Sequence, residues 1–394
     1  MRGPDGLPIV DGMSSAPRPR LAALDALRFV AAAAVVLYHF TGRTSSAWGP
    51  AQADQLGGVG RWTGYGSLGP HLFFVISGFV ILMTAWGRPT AQVVASRVAR
   101  LYPAYWVALL ATGALLLFLW PEGKQVTPHE VLVNLTMMQP AFGVDHVDGV
   151  YWTLWTELRF YLLVGVLSLV GITRGRVLGF ALVWPWAALL AERARVEELA
   201  TLLVSDYAPL FAAGMALFVL VHDRRTADRP AVLPWLVVVV STALAVARVV
   251  PSRAAVLERT TGYVPSRVLL GVAVVACVAV VAVVVLTRVA RWEHRGLVAL
   301  GTLTYPLYLV HEYWGLAVVR VLADRVPAVV ALGAALAVVM AMAWAVHRYV
   351  EVPCGPRLRR LTLAVLEVPR GIVLDRVMRG PRLVAGMPLA SAPA

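Results

Sequence analysis

The sequence predicts an all-α integral membrane protein, with about ten transmembrane helices around a polar cavity and no extra soluble domain. Three observations carry that expectation. Of 394 residues, 59% are hydrophobic and only 14% charged, against about 45–50% and roughly 25% in soluble domains. Apolar runs long enough to cross a bilayer, about 20 residues each, recur along the chain. The charged residues gather mostly between those runs. This composition excludes a soluble enzyme, a disordered chain and a disulfide scaffold. The two cysteines, Cys277 and Cys354, are too few for a disulfide framework or a Cys-built metal site, and no metal is expected. The net charge of +13 does not imply nucleic acid. The arginines are scattered between apolar segments, as cytoplasmic loops of membrane proteins require.

Read in order, residues 1–20 hold four prolines and three arginines and are expected to form a flexible cytoplasmic tail. Apolar spans are expected near 22–41, 66–86, 103–120, 153–171, 176–191, 207–222, 232–250, 268–287, 298–320 and 328–347. The fifth and sixth are short and interrupted by Pro185 and Pro209, which spans tolerate where neighbouring helices re-satisfy the backbone. Together 21–353 form the transmembrane domain, and 354–394 a basic cytoplasmic tail. Arginines concentrate in alternate loops, which puts both termini in the cytoplasm. No internal repeat of the kind found in duplicated transporters is visible.

Charges inside spans are costly, about 2.5–3.5 kcal/mol each at mid-membrane, so each marks a candidate site. Asp25, Arg28, Glu157, Arg159 and Glu312 qualify, with His39, His71 and His311 beside them. Arg28 and His39 lie eleven positions apart in the first span. At 100° per residue that is about 20° from three full turns, so both point to one face, roughly 16 Å apart along the axis. A bland alternative has Arg28 snorkelling to the interface and His39 bonding a neighbouring helix. Ser77 and Gly78 sit mid-span, where such a pair permits close helix packing. As a nucleophile Ser77 would need a base, with His39 the candidate. His71, after Pro70, reads as interfacial. Arg97 and Arg100, spaced i, i+3, share a helix face, and two guanidinium forks there suit a phosphate or pyrophosphate. Ordinary loop charge explains them equally well. Glu157 stands at a depth similar to His39 and is a candidate to orient its imidazole, with a local pairing to Arg159 or Tyr161 as the alternative. His311 and Glu312 are expected to be structural, or a secondary polar lining.

The segments LDALRFVAAAAVVLYH, HLFFVISGF, SRVARLYPAYW, YWTLWTELRFYLL, LTYPLYLVH and HRYVEVP occur in that order over residues 24–353. Together they resemble the membrane-bound acyltransferase family 3, the O-antigen acetylase-like O-acyltransferases. The resemblance implies transfer of an acyl group, expected to be acetyl, from acyl-CoA as co-substrate to a hydroxyl of a carbohydrate or glycosylated acceptor. No permanently bound cofactor is implied. It implies His39 as catalytic histidine, with Glu157 and Ser77 as further catalytic groups. Arg28, Arg97 and Arg100 are implied to bind acyl-CoA, and Asp25, Tyr161, His311 and Tyr305 to line the cavity. Thr153 stands where the family's Trp motif usually has Ser, and Ala26 and Phe29 replace the usual glycines beside Arg28. The expected course runs from a cytoplasmic acyl-CoA up a wet passage to His39, in a bacterial plasma membrane. Two other readings stay open: a transporter or channel with a polar intramembrane path, and a non-catalytic membrane scaffold.

Overall fold

The computed structural model describes residues 21–49, 52–226, 230–292 and 294–367. The expected N-terminal tail and most of the C-terminal one lie outside the described residues. Among those described, all regular structure is helical. The long helices are α1 (Ala22–Leu37), α2 (Gly69–Ala85), α3 (Thr90–Ala114), α4 (Trp152–Val170), α5 (Arg174–Arg193), α6 (Ala208–Thr226), α7 (Val232–Thr261), α8 (Arg267–Leu286), α9 (Arg295–Leu322), α10 (Ala328–Val346) and α11 (Val352–Leu366).

A helix stands at each of the ten expected spans. Seven described helical stretches are long and apolar enough to cross a membrane, so the chain reads as an all-α membrane protein, while ten crossings are not established. α5, α6 and α9 fall outside that set because charges dilute their apolar runs, such as Arg174, Arg176 and Arg193 in α5, or Glu312 and Arg320 in α9. α6 is nonetheless buried almost without interruption from Ala208 to Leu220. The helix after α10 continues through a wide π-helical turn, His347–Glu351, into α11, which packs along α3. The expected domain boundary at 353 thus falls within a helical stretch.

Helices in lipid gain little from the hydrophobic effect, so close backbone approach drives their association. α2 and α6 meet in this way through two glycines. A Cβ on Gly78 would stand 2.2 Å from the Phe211 carbonyl oxygen, and one on Gly214 only 2.0 Å from that of Val75. The packing role open to Gly78 is therefore the one it plays. Two apolar clusters result. One gathers α2, α5, α6, α7 and α8, the other α3, α9 and α10, and α1 and α4 contribute to both, with Ala31 and Phe160 in the first and Ala32, Val35 and Leu154 in the second. α1 and α4 form the seam of the molecule, and the polar residues of α1 lie along it.

Candidate active site

Arg28 and His39 both face the interior, with side chains 18% and 10% exposed. Neither turns to lipid. A polar pocket of about 80 Å³ opens beside Arg28 at the seam. α2 lends it Ser77, α3 Arg97 and Arg100, α4 Glu157 and Tyr161, and α9 Tyr305 and Tyr308. The i, i+3 spacing of the two arginines does aim both into it. Asp25 pairs with Arg28 at 3.3 Å and lines an adjoining cavity at the same end, together with Arg28 and Arg100. The Arg97 side chain lies over the Tyr161 ring, 5.9 Å from its centroid. Its Nε is buried without a hydrogen-bond partner. Inside the pocket Ser77 Oγ donates to Glu157 Oε1 at 2.7 Å, and the Tyr161 hydroxyl donates to the same oxygen.

The expected passage to His39 is closed. Phe73, Thr153 and Tyr308 line the pocket's far end. The Phe73 and Tyr308 rings meet edge to face at 5.8 Å, and the Tyr308 hydroxyl accepts from Thr153 Oγ1 at 3.0 Å and donates to the Val150 carbonyl at 3.2 Å. Beyond Tyr308, at a ring separation of 5.7 Å, comes His311, and 5.0 Å further His39. The expected triad therefore does not form as drawn. Glu157 serves Ser77 and Tyr161, and Ser77 has no bond to His39. The reason is geometric: α4 presents Glu157 to α2 one side of Tyr308, while α9 presents its own acid to α1 on the other.

That acid is Glu312. His39 Nε2 lies 3.6 Å from Glu312 Oε2, and Arg43 donates to Oε1 at 2.6 Å. His39 Nδ1 lies 2.9 Å from the Val35 carbonyl and 3.1 Å from His311 Nε2. His311 Nδ1 lies 2.9 Å from the Tyr308 carbonyl. A carbonyl only accepts, so each Nδ1 carries the proton. His311 Nε2 is then an acceptor for His39, and His39 Nε2 faces Glu312, with a lone pair in the neutral ring and an N–H in the imidazolium. The imidazole is thus fixed in one tautomer by partners that leave its second nitrogen available. The residue turns here because a π-helical turn, Tyr38–Gly42, follows α1, and such wide turns recur at functional sites. The same turn aims Arg43 back at Glu312, and Gln52 holds the Arg43 carbonyl at 2.9 Å.

A loop between α3 and α4 roofs this cluster. A short helix, Pro128–Asn134, starts with a reciprocal Thr127–Glu130 capping box. Buried Asn134 then ties the loop together, donating to the Glu130 and Asp145 carbonyls at 2.8 and 2.9 Å and accepting from the Val147 amide at 3.1 Å. Tyr105 clamps it to α3 through the Asn134 carbonyl at 2.6 Å. This delivers Asp148, fully buried, beside Glu312. Burial, then the Glu312 charge, hold the Asp148 carboxyl well above the usual carboxylate range. Two carboxyls sharing a buried site favour a form with one proton between them. Gly149 follows because a Cβ there would stand 3.2 Å from Glu312 Oε2.

Of the other expected residues, Tyr305 lines the pocket and donates to the Leu101 carbonyl at 2.9 Å, whereas His311 is wholly buried outside it. Arg159 turns away to stack on Trp155. His71 is no interfacial residue: it is fully buried against Phe74 and Tyr207. Arg43 and Asp148 escaped the sequence reading. Arg43 follows the first span at i+4 from His39, and that spacing was the available signal; Asp148 looked like one of several loop acids.

Comparison with curated proteins and with solved structures finds no match. The family model described as an acyltransferase domain matches residues 21–348, most of the chain and all of the helices that build both polar regions. The seam of α1 therefore lies in a membrane acyltransferase, and the chain belongs to acyltransferase family 3.

Proposed function

We propose that the protein moves an acyl group from acyl-CoA to a hydroxyl of a carbohydrate or glycosylated acceptor. The observation that carries this reading is the division of labour along α1. Three arginines, one with a buried unpartnered Nε, surround the pocket at one end, and a single-tautomer imidazole stands at the other. Guanidinium groups suit the phosphates of CoA. An imidazole with one free nitrogen suits proton transfer near neutral pH.

In the reaction His39 Nε2 takes the proton of the acceptor hydroxyl as its oxygen attacks the thioester carbon. The carbon–sulfur bond breaks, and the proton passes from Nε2 to the departing CoA thiolate. The products are an ester and CoA thiol. Glu312 stabilises the imidazolium formed on the way, and Arg43 and Asp148 keep that carboxylate in place. The thioester has to pass Tyr308, so the closed ring pair opens when the donor is bound. Arg43, with its side chain 41% exposed, marks the side from which the acceptor approaches. A bacterial plasma membrane, with the arginine end cytoplasmic, fits a CoA donor made in the cytoplasm.

The test uses membranes carrying the protein, supplied with labelled acetyl-CoA. Acylation is expected to fall by about 10²–10⁴ in His39→Ala and to require far more donor in Arg97→Ala. Undiminished acylation in His39→Ala would overturn the catalytic assignment. CoA-independent flux of a solute through the parent protein would favour a transporter instead.

A further inference from the structure

The polar pocket has a second neighbour, on the lipid side. A cavity of about 550 Å³ lies between α3 and α4, about seven times the pocket's volume. Valine and leucine side chains form half of its walls, among them Val94, Val98, Leu158 and Leu162. At one end Thr90 and Ser168 tie the two helices by a 2.9 Å hydroxyl bond. The groove stays open alongside Gly165, where a Cβ would meet nothing within 4 Å. It shares a wall with the polar pocket. Ile81, Arg97, Leu101 and Tyr161 line both cavities.

Resting on the acyl-CoA reading above, we propose that this groove receives the hydrocarbon of the donor's acyl chain, so that the protein takes acyl groups longer than acetyl. Continuity decides the occupant. A chain joined to a thioester that waits in the pocket, before it passes Tyr308, needs only Leu101 and Tyr161 to part to reach hydrocarbon surroundings, while the CoA phosphates remain on Arg97 and Arg100. The tail of a bilayer lipid has no such reason to reach Arg97. The small pocket holds an acetyl group, but a chain of eight carbons in it would press against Ser77, Glu157 and Tyr161, whose polar atoms it would strip of water without replacing their bonds. In the groove each methylene instead leaves water for an apolar wall.

The experiment measures binding of acetyl-CoA and octanoyl-CoA to the purified full chain in lipid nanodiscs, for the parent and for Gly165→Trp. The parent is expected to bind octanoyl-CoA at least tenfold more tightly than acetyl-CoA. Gly165→Trp, which narrows the groove from α4, is expected to bring the two within twofold while leaving acetyl-CoA affinity unchanged, which also reports a folded protein. Equal affinities in the parent, or an undiminished octanoyl preference in Gly165→Trp, would overturn the groove assignment and leave the acyl-CoA reading intact. If the parent bound neither thioester, the acyl-CoA reading itself would fall, and the groove assignment with it. A second variant, Val94→Trp, fills the groove from α3 and guards against a local defect in α4; it is expected to act as Gly165→Trp does, and a retained preference in it would count against the groove in the same way.

Discussion

The two polar regions on either side of Tyr308 are built on opposite plans. The pocket beside Arg28 is a void with cationic groups around it, one guanidinium nitrogen lacking a partner. The cluster around His39 is buried, and its histidines are tied to carbonyls and to one another. A region that waits for a charged ligand keeps donors unsatisfied, because the ligand completes them. A region that moves a proton fixes its groups in advance, because a misplaced base loses most of its advantage. On the proposed function the first region binds and the second carries out the chemistry, so substitutions on each side should separate in kinetics.

The largest effect is expected on the His39 side. His39→Ala should lower kcat by about 10²–10⁴ while acyl-CoA affinity stays near the parent value. Labelled-donor turnover together with direct binding checks this. A fall in affinity with little change in kcat would erase the distinction between the two regions. Glu312→Gln comes next. It keeps the shape but removes the charge that faces the imidazolium, and kcat should fall by about 10–100-fold, in keeping with roughly 1.5–3 kcal/mol for a charge-assisted bond. Glu157→Gln should leave more activity than Glu312→Gln, because Glu157 bonds Ser77 and Tyr161 rather than His39. The reverse ranking would return the catalytic acid to α4.

On the open side, Arg97→Ala should raise KM for acyl-CoA by about tenfold or more with a smaller change in kcat, since a buried guanidinium bond to phosphate is worth roughly 1.5–3 kcal/mol. Steady-state kinetics over a range of donor concentrations decides it.

The same contrast explains what the sequence reveals. Arg28 and His39 on one face, and Arg97 with Arg100 on another, follow from helical period alone, since each pair lies within one continuous helical stretch. Pairings between helices do not follow. Which acid meets His39 depends on how α9 and α4 are rotated about their axes, and both offer a glutamate at plausible depth. Arg43 was hidden for a different reason. It stands just past the end of the first span, where an arginine reads as ordinary flanking charge, and the π-helical turn at Tyr38–Gly42 aims it back at Glu312. Asp148 reaches the cluster through a loop folded around Asn134, and loop paths leave no periodic trace. Closure at Tyr308 was equally invisible, because two aromatic residues in apolar spans read as ordinary packing.

Tyr308→Phe sharpens the boundary itself. It removes the bonds to Thr153 and Val150 but keeps the ring, so the partition should loosen without disappearing. About two- to tenfold is expected in kcat, matching roughly 0.5–1.5 kcal/mol for a neutral hydrogen bond, with KM for donor nearly unchanged. A large KM effect would place Tyr308 in the binding region instead.

The last effect concerns the roof of the His39 region, acts on stability rather than turnover, and is read through pH. His146 lies in the loop that carries Asp148. Burial first, and then Lys124, lower its pKa to about 4, and its Nδ1 accepts from the Gln139 amide at 2.5 Å. Protonation abolishes that acceptor. The folded loop therefore prefers neutral His146, whose unfolded counterpart titrates near 6.5. The loop's closed form is fully favoured above about pH 6.5 and loses stability as pH falls from there towards 4, by on the order of 1–3 kcal/mol. Limited proteolysis within residues 121–148 should accelerate between pH 7 and pH 5 in the parent. His146→Gln, which cannot titrate, should show a flat response over that interval. A flat response in the parent as well would mean that the roof is held by Asn134 and Tyr105 alone, and that acid reaches the His39 cluster only through its own groups.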